Sequence, residues 1–179
     1  MYMTATFLGE HFWGQPSRMA DSLGVLLLTW HQAFYRYGIF DFARLERAIE
    51  KTLPVLDTFR RRDISTYIPA DDGLVRSLFR TFVTALQIRE GPKRGQRSPV
   101  AAAKALHLLA PRYFPLWDEQ IARAYDCYYK DQPATRYLDF MRIVKRFSDA
   151  LASRIPADTK PFTKLLDEYN YARFTKRWI

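Results

Sequence analysis

Ser98-Pro-Val-Ala-Ala-Ala-Lys104-Ala-Leu-His-Leu-Leu-Ala110 runs directly into Pro111-Arg-Tyr-Phe-Pro-Leu-Trp-Asp118. Ser98 followed by Pro99 predicts a helix start, with Ser as cap and Pro at the first helical position. At 100° per residue, Lys104 falls between Val100 and Leu108, with Ala101 and His107 on the same side. Ala102, Ala105, Leu106 and Leu109 take the other side. A helix apolar almost all round belongs at the centre of a fold. Lys104 is its only charge. Burial disfavours an ammonium and lowers its pKa, and a neutral amine is a nucleophile toward carbonyls. The plainer alternative is that Lys104 snorkels to solvent or meets a buried carboxylate. The turn from Pro111 to Pro115 leads to Asp118, expected to cap the next helix. The two helices would form a hairpin, with Lys104 and Asp118 converging near one mouth.

The surrounding sequence is helical in period. Ser17 is placed to cap a helix to about Tyr37, with Gly38 as its stop. Asp41 caps a second helix carrying Leu45, Ile49, Leu53 and Leu56, which Pro54 is expected to kink or end. A third is expected from about Asp72 to Ile88, on Leu74, Leu78, Phe82 and Leu86. Gly91 to Arg97 reads as a loop. Later helices are expected at about Asp118 to Tyr129, Ala134 to Ala152, and from near Pro161. No alternating strand pattern is evident. The expected fold is all-α, a compact single domain of about seven helices over residues 1–179.

Composition narrows the function. The 179 residues are 48% apolar and 16% aromatic, which excludes a disordered chain. One cysteine, Cys127, excludes an intramolecular disulfide framework and a Cys-built zinc or iron–sulfur site. It reads as an inert buried thiol. No metal site or cofactor is implied. The longest apolar run, Leu23 to Trp30, is too short for a membrane span, which needs about 20 residues. Met1 to Thr4 lack the start of a signal peptide, so a reducing cytoplasm is the expected compartment. A net charge of +9 favours a polyanionic partner, most often nucleic acid.

The order Lys104, turn, Asp118 resembles the catalytic core of the helix-hairpin-helix DNA glycosylase superfamily. The resemblance covers about 30 residues, including Ile121-Ala-Arg-Ala-Tyr125. It implies Lys104 as Schiff-base nucleophile and Asp118 as the acid that assists base excision. The family's hairpin glycines are missing: Ser98-Pro-Val-Ala-Ala-Ala stands before the lysine, and Gly91 and Gly95 lie upstream.

Arg89, Lys93, Arg94, Arg97, Lys104 and Arg112 fall in a stretch whose only acid is Glu90. Lys93, Arg94, Arg97, Ser98 and Arg112 are therefore the candidate nucleic-acid contacts, acting with the free amides at the helix start. Arg60-Arg61-Arg62 suits either a helix dipole or nucleic acid. Tyr125, Tyr128 and Tyr129 read as core and rim more readily than as base-stacking residues. His107 is expected to be buried and bonded to a backbone carbonyl, and Trp13, Trp30 and Trp117 to belong to the core. The leading expectation is a DNA-binding protein with a glycosylase/lyase-like Lys/Asp site. The alternatives are a non-enzymatic binding module, with Lys104 paired and Asp118 only a cap, and a self-assembling structural protein.

Overall fold

The computed structural model describes residue 7 and residues 10–155 and 160–179. Met1 to Thr4, discussed above for a signal peptide, lie outside the described residues. Among the described residues the chain forms eight α-helices and one two-stranded antiparallel sheet. The all-α expectation holds.

Helix α1 (Pro16–Trp30) starts at Pro16, so Gln15 and not Ser17 stands at the cap position. It does not reach Tyr37. His31 leaves helical geometry at φ −119°, and α2 (Gln32–Tyr35) restarts as a single turn. Just before the break, the Thr29 hydroxyl bonds the Val25 and Leu26 carbonyls, a back-bond that competes with regular helix. Strands β1 (Ile39–Phe40) and β2 (Ile88–Glu90) then pair, with Ile39 opposite Glu90. Ile88 is thus strand, not the end of the third helix. The turn after β2 requires Gly91: its φ is +98°, and a Cβ there would lie 2.0 Å from the Tyr37 carbonyl.

Helix α3 (Phe42–Arg60) is capped by Asp41, which accepts from Arg44 N at 3.2 Å, and continues through Pro54 to Arg60. Two 3-10 turns, Ile64–Thr66 and Pro69–Asp71, lead into α4 (Asp72–Ala85). Leu78, Phe82 and Leu86 are buried as expected, and Val75 and Phe79 join them in place of Leu74. Leu74 is 49% exposed.

Helix α5 (Pro99–Leu109) is the central helix, capped by Ser98 as expected. Its alanines at 101, 102, 103 and 105 are fully buried, and small side chains let α1, α4 and α7 approach closely. Helix α6 (Glu119–Ala124) stops well short of Tyr129. Asp126 takes the left-handed conformation at φ +54°, Cys127 N bonds Ala122 O at 2.8 Å, and Asp126 N bonds Arg123 O at 3.2 Å. This is a Schellman stop built on Asp instead of Gly. Helix α7 (Pro133–Leu151) leaves Phe147 and Leu151 each 38% exposed. Helix α8 (Phe162–Asn170) passes into a π-helical turn, Tyr171–Lys176.

Each arginine of the Arg60–Arg62 run has a partner within the chain, Arg61 at the surface. Arg60 stacks on Trp13, Arg61 pairs with Asp57, and Arg62 grips both Asp71 oxygens at 2.8 and 2.7 Å.

Candidate active-site cavity

Where α1 breaks, the Trp30 carbonyl is left without a regular helical partner, and the Lys104 ammonium donates to it at 2.9 Å. The helix dipole favours a cation at that end. The same amine lies 4.9 Å from the centroid of the Trp30 ring. Lys104 does not snorkel fully into water, and it sits in no ion pair among the described residues: it is half-buried beside a cavity of about 220 Å³. Desolvation pulls its pKa down, while Asp118 and then Asp167 pull it up. Desolvation wins, and the value falls to about 8.

Asp118 lines the same cavity. It is the α6 cap, accepting from Ile121 N at 2.8 Å, and its second oxygen accepts from the Thr175 hydroxyl at 3.1 Å. Capping fixes the carboxylate while leaving its charge close enough to act on Lys104. The expected convergence of Lys104 and Asp118 on one mouth is what the geometry shows. The hairpin achieves it because the turn folds back tightly. His107 Nδ1 donates to Phe114 O at 2.7 Å across that turn, and the Tyr137 hydroxyl donates to Pro115 O at 2.8 Å. A carbonyl only accepts, so His107 carries its proton on Nδ1. It is fully buried, and desolvation lowers its pKa to about 4.

The other wall comes from α8, of which the sequence indicates only a helix from near Pro161. Lys164 and Asp167 both face the cavity, paired at 2.6 Å, with Glu168 and Tyr171 beside them. Burial, and the neighbouring Asp118 charge, raise the Asp167 pKa despite its bond to Lys164. The signal in the sequence was Lys164 and Asp167 three residues apart, a spacing that shares one helix face. Only the tertiary fold says that this face meets Lys104. Thr163 bonds the Pro111 carbonyl, and Asn170 accepts from the Tyr125 hydroxyl at 2.7 Å, so α8 is tied to the turn of the hairpin and to the end of α6. Trp117, 1% exposed, closes the floor, and its indole N–H has no acceptor among the described residues.

The cavity holds two lysines and three carboxylates, Asp118, Asp167 and Glu168. It is therefore poorly suited to a phosphate. It suits a neutral carbonyl that becomes a cation as it reacts.

The expected nucleic-acid contacts lie elsewhere and apart. Lys93 donates to the carbonyls of Ala33 and Phe34, closing the end of α2. The Ser98 hydroxyl accepts from Ala101 N at 3.1 Å and bonds His31 Nε2 at 2.9 Å, and it is 6% exposed. Arg89 pairs with Asp41. Arg112, beyond the far end of α5, pairs with Asp63 at 3.2 Å. Arg94 and Arg97 are exposed, and Arg97 bonds the Gln87 side chain at 3.3 Å.

The aromatic residues follow the core-and-rim reading. Tyr129 packs edge-on against Trp117, and Arg123 lies over the Tyr128 ring at 3.8 Å. Burial raises the pKa of Cys127 to about 11, which keeps it an unreactive thiol. No group of three or more metal-ligating side chains occurs among the described residues, and no described helix is long and apolar enough to cross a membrane. No protein-family model matches the chain, and neither a curated protein nor a solved structure does.

Proposed function

We propose that the protein binds DNA and that its Lys104 cavity acts on abasic sugars by a lyase reaction. The observation that carries this is an amine with a pKa near 8 opening on a cavity that Asp118 also lines. Neutral Lys104 attacks C1′ of the ring-opened deoxyribose. The C–N bond forms, the carbonyl oxygen takes one proton from the amine and one from solvent and leaves as water, and a cationic iminium results. Asp118 stabilises that cation. Asp167, held by Lys164 and made more basic by burial, takes the C2′ proton. The C3′–O bond then breaks with the 3′ phosphate as leaving group, and hydrolysis of the imine returns the amine.

The test is incision of a duplex containing one abasic site. The chain should cut it, and Lys104→Ala should lose the activity by about 100-fold or more while keeping most of its binding. Equal incision by both proteins would overturn the reading.

A second reading is a non-enzymatic binding module. The observation that favours it is that Lys104 already has a partner in the Trp30 carbonyl, while Lys93, Ser98 and Arg112 are engaged within the fold. Salt-sensitive DNA binding without incision would select it.

A further inference from the structure

The cavity's surplus of carboxylates repels phosphate, so a protein acting on DNA there must hold the backbone with another surface. Two adjoining hollows, of about 460 and 360 Å³, share Arg80 and Thr84. Together they form one groove from Arg44 on α3, across Arg80 on α4, to Arg97 at the end of the loop before α5. Thr81, Thr84 and Thr135 add hydroxyls. No acidic residue lines either hollow.

The three arginines differ from those that carboxylates hold. Arg61, Arg62, Arg89, Arg112, Arg123 and Arg142 all pair with carboxylates. Arg44, Arg80 and Arg97 have no carboxylate within ion-pair distance among the described residues, although Arg44 lies close enough to Asp41 to lower its pKa. Arg80 and Arg97 are exposed, and Arg44 is half-buried. The start of α7 opens on the same groove. Its first turn holds no acid, and Gln132 gives it no side-chain cap, so the helix dipole adds to the positive field. The one aromatic side chain lining the groove, Phe79, is fully buried and stacks on Tyr137. A surface that offers guanidinium and hydroxyl donors but no exposed ring grips a backbone and does not stack bases.

We infer that the Arg44–Arg80–Arg97 groove is a binding site for the phosphodiester backbone of duplex DNA. The inference rests on reading the protein as DNA-binding. Arg97 adjoins Ser98, and six residues of helix, about 9 Å of rise, separate Ser98 from Lys104. One edge of the groove thus adjoins the helix that carries the nucleophile.

The test uses the full chain, an undamaged 20-base-pair DNA duplex and fluorescence anisotropy from 50 to 200 mM salt. Arg44→Gln/Arg80→Gln/Arg97→Gln should weaken binding at least about tenfold and flatten the slope of log K against log salt by about 2.7, three contacts at about 0.9 each. Arg61→Gln/Arg123→Gln/Arg142→Gln, with the same loss of charge at guanidinium groups paired with carboxylates, should stay within about threefold of the unmodified chain. Circular dichroism checks that both variants fold. Equal weakening in the two triple variants would assign binding to bulk charge and overturn the groove. So would tight binding confined to a single strand. If the unmodified chain fails to bind duplex at 50 mM salt, both the groove and the DNA-binding reading fall. Lys104 reactivity is read separately, by borohydride reduction with a small aldehyde, so a failed groove and a failed nucleophile give different results.

Discussion

Lys104 owes its character to its residue-scale surroundings. The apolar faces of α5 keep water from much of its stem, and one carbonyl at the end of α1 takes its hydrogen bond. Two nearby carboxylates are too few to restore an ordinary lysine pKa. At pH 7 a group with a pKa of 8 is about one-tenth neutral, roughly 300-fold more than an unperturbed lysine. Two measurements follow from the sign of the shift. The rate of adduct formation should climb about tenfold per pH unit below 8 and level off above it. Stability should also respond, because between pH 8 and 10.5 the unfolded chain binds more protons at this residue than the folded one. The folded state therefore gains stability as pH rises through that window, and the penalty is complete below pH 8. In urea unfolding, Lys104→Met should remove that rise. A rate that keeps climbing about tenfold per pH unit through pH 9, with no levelling near 8, would mean an amine with no lowered pKa.

At the scale of elements, the hairpin of α5 and α6 is fixed by a buried network. Asp71 in the 3-10 turn before α4 is 7% exposed. It accepts two bonds from Arg62, one from the Tyr113 hydroxyl at 2.7 Å and one from Ile68 N at 3.0 Å. Tyr113 lies in the turn between Lys104 and Asp118, so the network ties that turn to the end of α3. Asp71→Ala leaves Arg62 and Tyr113 without their acceptor and should cost about 3–5 kcal/mol in chemical denaturation. A loss below about 1 kcal/mol would show that the turn is held otherwise. Much at this scale was legible in the sequence. Ser98, Asp41 and Asp118 cap the helices their positions imply, because a cap is a local interaction between neighbours. Other boundaries were not legible. The stop at Asp126 uses a left-handed residue other than Gly, and the break at His31 carries no Pro or Gly. Two strands of two and three residues are too short to show alternation, and their pairing joins positions about 50 residues apart.

At the scale of the whole molecule, the site is assembled from segments distant in sequence. The end of α1 supplies the Trp30 carbonyl, α5 the amine, α6 the capping carboxylate, and α8 Lys164 and Asp167. Lys104 and Asp118 could be foreseen because one hairpin carries both. The α8 wall could not, since no local pattern says which cavity a C-terminal helix closes. Charge behaved the same way. A net +9 says nothing of where cations sit, and the clustered loop residues Lys93 and Arg112 proved to be bound within the fold. Arg44 and Arg80, unremarkable in sequence, line a groove without acids. The most direct measurement is borohydride trapping of the protein on a duplex carrying one abasic site, followed by peptide mapping of the adduct among the eight lysines. The expected result is a covalent product on Lys104, absent from Lys104→Ala. An adduct that maps to another lysine, or that survives in Lys104→Ala, would contradict the assignment of the cavity as a lyase site.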